Sequence, residues 1–113
     1  MAQDALAIAL YFLKFRPRSE FEVEQKLKTK RVPDKETKRV IAVLKKNKLL
    51  DDAEFAKMWV RDRNLLKPSG SYLLKIELRK FKVPDGDIEA ALSDQDEKKL
   101  ARKALEMKYR ERE

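Results

Sequence analysis

Prolines recur at a fixed distance in this sequence, and their spacing restricts the fold more than any other feature. Pro33 and Pro84 lie 84 − 33 = 51 positions apart, and the same offset relates Pro17 to Pro68. Because proline cannot continue the hydrogen-bond ladder of a helix, each of these residues marks the end of a helical segment. Helix breakers that coincide at one offset are typical of a tandem structural repeat.

The residues around the prolines repeat with the same offset. The matched pairs, which include apolar positions and helix ends, are Val32 and Val83, Asp34 and Asp85, Leu27 and Leu78, Lys28 and Arg79, Arg16 and Lys67, and Ala5 and Ala56. Leu, Ala, Lys, Arg and Glu dominate the composition, and these residues lose little free energy in a helix. The predicted fold class is all-α, with tandem three-helix repeats that form an elongated, curved array. An unbroken six-helix domain is the alternative.

The first repeat is predicted to contain three helices. The stretch from Ala5 to Leu13 is apolar nearly all round, which predicts a buried helix that stops before Pro17. Ser19 is predicted to cap the second helix and Asp34 the third. The apolar stripe of the third helix consists of Thr37, Val40, Ile41 and Leu44.

The second repeat follows the same order of elements. Asp51 and Asp52 directly precede an apolar helical pattern, so capping is favoured over a metal-binding or acid–base role for this pair. The helical phase of Trp59 and Tyr72 favours core packing over stacking on nucleic-acid bases. Asp85 is predicted to open the short third helix of this repeat.

These patterns divide the chain into three predicted segments. Repeat 1 covers residues 1–49 and repeat 2 covers residues 50–93. Residues 94–113 are predicted to form the first helix of an incomplete third repeat, because an acidic first turn precedes apolar residues at helical spacing.

The charge balance points to a polyanionic partner. Lys and Arg outnumber Asp and Glu by 28 to 20, a formal net charge of +8, which favours nucleic acid or an acidic groove. The candidate contact residues for the partner or for DNA are Lys26, Lys28, Lys30, Arg31, Lys35, Lys38, Arg39, Lys45, Lys46, Lys75, Arg79, Lys80 and Lys82. A solvated helix face is the structural alternative for such charges. Binding is favoured because the basic segment before Pro33 recurs before Pro84.

The residue types that most enzymes need are missing. The sequence has no histidine and no cysteine, which removes the usual general base, the thiol nucleophile and the common zinc ligands. Gly70 and Gly86 are the only glycines, so neither a P-loop nor a dinucleotide-binding turn can be written. We therefore expect no catalytic residue, no metal, no cofactor and no small-molecule substrate.

The sequence also lacks the marks of a membrane or exported protein. No stretch approaches the roughly 20 apolar residues that span a bilayer. The segment Met1-Ala2-Gln3-Asp4 has no basic residue of the kind that opens a secretory signal. A cytoplasmic location without membrane contact is the expectation.

Residues 49–63, Leu-Leu-Asp-Asp-Ala-Glu-Phe-Ala-Lys-Met-Trp-Val-Arg-Asp-Arg, resemble the signature of the RecX family, the bacterial regulators of the RecA recombinase. Further matches are Gly70, Ile76-Glu77-Leu78, Val83, Tyr11-Leu13 and Pro17-Arg18-Ser19-Glu20. The resemblance spans about residues 5–93. The signature residues expected to be mostly structural are Leu50, Asp51, Asp52, Phe55, Ala56, Val60, Arg63, Gly70 and Leu78.

The resemblance implies a function as well as a fold. It implies a curved array of three-helix repeats, commonly three, that lies in the groove of a RecA filament on single-stranded DNA and inhibits recombination and ATP hydrolysis. Single-stranded or duplex DNA is a further candidate partner. This sequence departs from the family pattern by stopping inside the third repeat.

Two other interpretations of the sequence stay open. The first is a stand-alone basic DNA-binding module of helix-turn-helix type, because three short helices with a basic third can resemble that motif. The second is a structural adaptor that dimerises through its terminal helix.

Overall fold

The computed structural model describes residues 4–93 and 102–108, and every regular element within these ranges is an α-helix. The helices are α1 (Ala5–Phe15), α2 (Glu20–Thr29), α3 (Asp34–Lys46), α4 (Asp52–Leu66), α5 (Ser71–Lys80) and α6 (Asp85–Leu92), and residues 102–108 are also helical. The extents of 59 × 30 × 21 Å make the molecule elongated. The all-α prediction is confirmed.

The six helices form two units, each with its own core. Helices α1 to α3 pack on one another as the first unit, and α4 to α6 pack as the second. Leu27 and Leu44 are fully buried in the first core, and Leu74, Leu78 and Ile88 in the second. The predicted tandem arrangement of three-helix units is confirmed.

Leu50 lies at the junction of the two units and packs in the first core, where it is 3% exposed. We therefore propose that the first repeat includes Leu50 rather than ending at residue 49. Of the predicted third segment, residues 102–108 are helical, while 94–101 and 109–113 lie outside the described residues.

Side-chain caps begin α2 and α4 at the predicted positions. The Ser19 hydroxyl accepts a hydrogen bond from the N–H of Glu22 at 3.2 Å, and the Glu22 carboxylate accepts one from the N–H of Ser19 at 3.1 Å. This reciprocal pair is a capping box. The Asp51 carboxylate accepts from the N–H groups of Ala53 and Glu54 at 2.9 and 3.2 Å. Both predicted caps are confirmed.

The cap predicted at Asp34 is wrong, whereas α6 begins at Asp85 as predicted. Pro33 and Pro84 occupy the N-cap positions of α3 and α6, and neither helix has a side-chain cap hydrogen bond. Asp34 and Asp85 are instead the first helical residues, one position too late to reach the free N–H groups of the first turn. Their carboxylates still interact favourably with the positive end of the helix dipole.

Helix α1 is not buried all round, contrary to the prediction from its composition. Ala5 and Ala9 are buried, whereas Leu10, Tyr11 and Phe15 are 43%, 65% and 63% exposed. The reason is topological, because α2 and α3 cover only one side of α1 within the unit. The outer side carries an edge-to-face pair of the Tyr11 and Phe15 rings, with centroids 5.1 Å apart.

A hydrogen bond and a cation–π contact join the two units. The Asp52 carboxylate accepts a hydrogen bond from the N–H of Glu20 at 2.8 Å, so the first residue of α4 caps the start of α2. The guanidinium carbon of Arg16 lies 5.7 Å from the centroid of the Phe81 ring, within cation–π range. Burial, and then the negative charges of Glu20 and Asp87, raise the pKa of the Asp52 carboxyl.

Substitutions at Asp52 test this junction. We expect Asp52→Ala to lower the free energy of unfolding by about 1 kcal/mol, because the Glu20 N–H loses its acceptor. Asp52→Asn keeps an acceptor and removes a half-buried charge, so its stability at neutral pH should equal or exceed that of the wild type. The measurement is urea unfolding followed by Trp59 fluorescence.

The pH dependence of these variants gives the control. Because the folded pKa of Asp52 lies above the ordinary value of 3.8, the folded wild type binds a proton more readily than the unfolded chain. Its stability relative to Asp52→Asn should therefore rise as the pH falls through the folded pKa. An Asp52→Asn protein as unstable as Asp52→Ala would contradict the proposed capping role.

Candidate interaction surface

Two turns of the same conformation present basic side chains at matching places in the two units. The first basic turn, which covers the end of α2 and the loop to α3, consists of Lys28, Lys30 and Arg31. The second, which covers the end of α5 and the loop to α6, consists of Arg79, Lys80 and Lys82, and all six residues are exposed. Basic residues near the end of a helix interact favourably with its dipole, which accounts for part of this pattern.

The backbone at these turns adopts a left-handed conformation that is unfavourable for a residue with a side chain. Arg31 has φ = 61° and Lys82 has φ = 57°, and the next residue donates to a carbonyl five positions earlier, at 3.0 and 3.3 Å respectively. This is a Schellman C-cap, whose left-handed position favours glycine because a side chain there costs about 1 kcal/mol. Lys48, after α3, has the same conformation with φ = 58°. Within residues 4–93 and 102–108, every non-glycine residue of positive φ is thus a basic one.

Glycine variants separate the fold from the charge at these turns. We expect Arg31→Gly and Lys82→Gly to leave the free energy of unfolding unchanged or to raise it by about 0.5–1 kcal/mol, because glycine relieves the left-handed strain. Lys38→Gly, inside α3, is the control and should lose about 1 kcal/mol. Urea denaturation measures all three. A loss above about 1 kcal/mol at Arg31 or Lys82 would show that the side chain supports the fold instead.

Helix α3 presents a second basic surface, which we call the α3 stripe. It consists of Lys35, Lys38, Arg39, Lys45 and Lys46, and all five are exposed. Arg39 forms an ion pair with Glu36, and the Lys45 ammonium lies 3.3 Å from the carboxylate of Glu20. The other three lysines have no ion pair among the described residues, so their charges are available to a partner.

The third helix of the second unit carries the opposite charge. Asp85, Asp87 and Glu89 lie on α6, whose last turn has no basic residue. The Arg79 guanidinium lies 3.5 Å from the Asp85 carboxylate, and both side chains are more than half exposed, so this pair contributes little stability. The basic surface shared by the two units is therefore confined to the turns.

Two candidate lysines are held by neighbouring side chains. The Lys26 ammonium lies 5.4 Å from the centroid of the Phe12 ring, and the Lys75 ammonium lies 2.8 Å from the Glu89 carboxylate. Both lysines are half-buried. They are less free to move toward a partner than the lysines of the turns.

The signature residues mostly build the fold. Leu50, Phe55, Ala56, Val60 and Leu78 are buried. Asp51 caps α4 and Asp52 joins the units, as described above. Gly70 is the N-cap of α5 with φ = −70°, a backbone conformation open to any residue.

Arg63, the remaining signature residue, belongs to a polar cluster between α4 and α5. Its Nε and Nη2 atoms donate to the two Glu77 carboxylate oxygens at 3.0 and 2.8 Å, and the Trp59 indole N–H donates to the same carboxylate at 3.0 Å. Burial acts to raise the pKa of Glu77, but the hydrogen bonds from Arg63 and Trp59 outweigh it and lower the pKa below its ordinary value. The cluster stabilises the second unit.

Replacing Glu77 tests this cluster. We expect Glu77→Gln to lower the free energy of unfolding by about 1–2 kcal/mol, because the charge-assisted bonds to Arg63 are weakened. The wild-type contribution is present above the ordinary pKa of 4.5 and is lost as the pH falls through the lowered folded pKa, and the variant should lack this dependence. Glu89→Gln, at an exposed ion pair, should change stability by less than about 0.5 kcal/mol. Equal losses in the two variants, measured by thermal unfolding, would refute the stabilising role of the cluster.

Of the two aromatic residues predicted to pack inward, only Trp59 does so. Its ring lies 4.8 Å from that of Phe81, whereas Tyr72 is 80% exposed, so its predicted core position is wrong. Tyr72 lies in the first turn of α5, and at 80% exposure its side chain is not covered by any described helix.

Lys48 was not among the candidate contact residues predicted from the sequence. Its signal was present, since a basic residue followed by an apolar one at a helix end occurs both at Arg31-Val32 and at Lys48-Leu49. The contact of Asp52 with Glu20 spans 32 positions and leaves no such local signal.

The described residues contain no cluster of three or more Asp, Glu, His or Cys side chains placed to hold a metal ion. In the same part of the chain, no helix is long and apolar enough to cross a membrane.

Comparison with known proteins identifies both units. Residues 5–44 match the family domain described as "RecX, first three-helix domain", and residues 51–92 match "RecX, second three-helix domain". The chain is 40% identical over 92 residues to the regulatory protein RecX of Prosthecochloris aestuarii, covering 81% of this chain and 61% of that protein. It is 37% identical over 90 residues to the regulatory protein RecX of Leuconostoc mesenteroides, covering 80% and 34%.

A solved structure gives the same result. The crystal structure of a regulatory protein RecX superposes with a TM-score of 0.80 at 27% identity, covering 96% of this chain and 55% of that one. The chain thus spans between about a third and three-fifths of the length of these proteins.

Proposed function

Because the chain belongs to the RecX family, we propose that it binds a RecA-type recombinase filament on DNA and inhibits its recombination and ATPase activities. Its relatives are named regulatory proteins rather than enzymes, which supports action by binding alone. In this proposal the protein works in the cytoplasm, during DNA repair and recombination.

The observation that carries the proposal is the recurrence of the basic turns. Arg31 and Lys82 are 51 positions apart and share the same strained conformation. Strain retained at equivalent positions in two units suits a functional contact, because glycine would serve the fold better. Two linked contacts on one elongated molecule raise the effective concentration of the second once the first is made. A filament with repeating acidic or phosphate groups is the matching partner.

The direct test is inhibition of DNA-dependent ATP hydrolysis by the cognate recombinase. We expect the rate of hydrolysis to fall as the protein is added, and the filaments on single-stranded DNA to shorten. If neither the rate nor the filament length changes, the proposed function is wrong.

Charge reversal locates the contact. The variant Lys35→Glu, Lys38→Glu, Lys46→Glu changes the members of the α3 stripe without an ion pair, so it leaves the Arg39–Glu36 and Lys45–Glu20 pairs in place. We expect filament affinity to fall about tenfold or more, since each lost contact costs about 0.5–1 kcal/mol. Arg31→Gly with Lys82→Gly should also weaken binding, although these changes spare the fold.

A control variant with the same change in net charge reverses exposed lysines elsewhere. It carries Lys57→Glu, Lys67→Glu and Lys103→Glu, none of which belongs to the stripe or the turns. Circular dichroism checks the helical content of both variants. Equal loss of affinity in the two would show that only net charge matters and would exclude the stripe as a specific contact.

The alternative of a stand-alone DNA-binding module is favoured only in the first unit, where the third helix is basic. The acidic residues of α6 disfavour it in the second unit. Binding to duplex DNA without recombinase, measured against salt concentration, separates the two functions. Sequence-selective duplex binding that exceeds filament binding would favour the module.

A further inference from the structure

The exposed side of α1 occupies the same position in the first unit as the α4 surface that contacts the first unit occupies in the second. Arg16 and Pro17 of the first unit and α4 of the second unit line a groove of about 250 Å³. The α4 residues that line this groove include Phe55, Met58, Trp59, Asp62 and Leu66. The Arg16 guanidinium reaches the Phe81 ring behind them, 5.7 Å from its centroid.

The 51-residue offset places an open counterpart of this groove on α1. The five lining residues correspond, in order, to Asp4, Ala7, Ile8, Tyr11 and Phe15. A groove of about 460 Å³ is present there, lined by Asp4, Ala7, Ile8, Tyr11, Lys26 and Lys30. The side chains of Tyr11 and Phe15 are 65% and 63% exposed, so this packing surface is open in the described part of the chain.

The open groove carries two lysines, Lys26 and Lys30, and one aspartate, Asp4. Glu77 and Phe81 in the second unit correspond to Lys26 and Lys30 in the first. The segment that would continue the array from a second copy is Lys67-Pro68, the equivalent of Arg16-Pro17. Lys67 would add a positive charge to a groove in which the two lysines already outnumber the single carboxylate of Asp4, and each copy carries a net charge of +8. A second copy is therefore disfavoured, and an acidic occupant is favoured.

We propose that the α1 groove docks an acidic protein segment. An apolar side chain of the segment packs on Ile8, Tyr11 and Phe15, and its carboxylates pair with Lys26 and Lys30. A nucleic-acid strand fits less well, because Tyr11 and Phe15 are packed edge to face on each other and the neighbouring Ala7 and Ile8 are aliphatic. The proposal deepens the proposed function and rests on it for the source of the segment, which is the recombinase filament.

The site itself is tested without recombinase. The probe is a short synthetic amphipathic helix with leucine on one face and glutamate on the other, added to the isotope-labelled full chain. We expect chemical-shift changes at α1, Lys26 and Lys30, and none with the matching leucine–lysine peptide. Changes confined to the α3 stripe, to Lys28 and Arg31 or to the second basic turn would overturn the proposal. The same α1 changes with an oligothymidylate would also overturn it, and would assign the groove to nucleic acid.

A matched pair of variants extends the test to the filament. Tyr11→Ser with Phe15→Ser removes the exposed apolar pair, and Leu65→Ser with Tyr72→Ser removes an equally exposed pair elsewhere, at 67% and 80%. We expect the first variant to lose peptide and filament affinity about tenfold, and the second to retain both.

The outcomes distinguish the two proposals. If the wild type and the Tyr11→Ser, Phe15→Ser variant bind the filament equally, the docking site is wrong and the proposed function stands. If the wild type fails to bind the filament, the proposed function is wrong, and the peptide titration alone decides the α1 site.

Discussion

The turn between the second and third helices is the element on which each unit depends. Units of this size bury small cores, so the angle between their helices must be set locally. A left-handed residue ends the second helix, a valine then packs on the core, and a proline starts the third helix; Val83 is 4% exposed and Val32 packs against the first core. Since the valine turns inward, the residue before it faces solvent. The turn that sets the angle between the second and third helices therefore also exposes Arg31 and Lys82 to solvent. The same backbone segment serves both the fold and the proposed contact.

Features that depend on neighbours within a few positions could be predicted from the sequence. The prolines marked the helix ends, and the Ser19–Glu22 capping box lies within one turn. The apolar stripe of α3 was predicted in full, and Thr37, Val40, Ile41 and Leu44 are all buried. In each case the free energy is decided locally, by a backbone hydrogen bond or by helical periodicity.

Features that depend on what covers a surface could not be predicted. The composition of α1 indicates that its residues are apolar, but burial also needs a partner on every side, and only two helices of its own unit flank it. Tyr72 has the same helical phase as core residues yet lies where no described element packs. Asp52 looks like any acidic cap in the sequence, and only the fold brings it to Glu20. The candidate contacts therefore emerged from charge and periodicity, while the inter-unit junction emerged only from the structure.

The two units have the same order of helices but make different polar contacts at equivalent positions. Where the second unit places the Arg63–Glu77 ion pair, the first places Phe12 and Lys26, whose contact is cation–π. The ion pair neutralises both charges, whereas Lys26 forms no ion pair within residues 4–93 and 102–108. In the first unit, Lys26 thus lies beside the exposed apolar side of α1. The equivalent surface of the second unit, on α4, is covered by Arg16 and Pro17 of the first unit. Because the two units differ in this way, a partner that recognises the α1 face distinguishes the first unit from the second and binds the protein in one orientation.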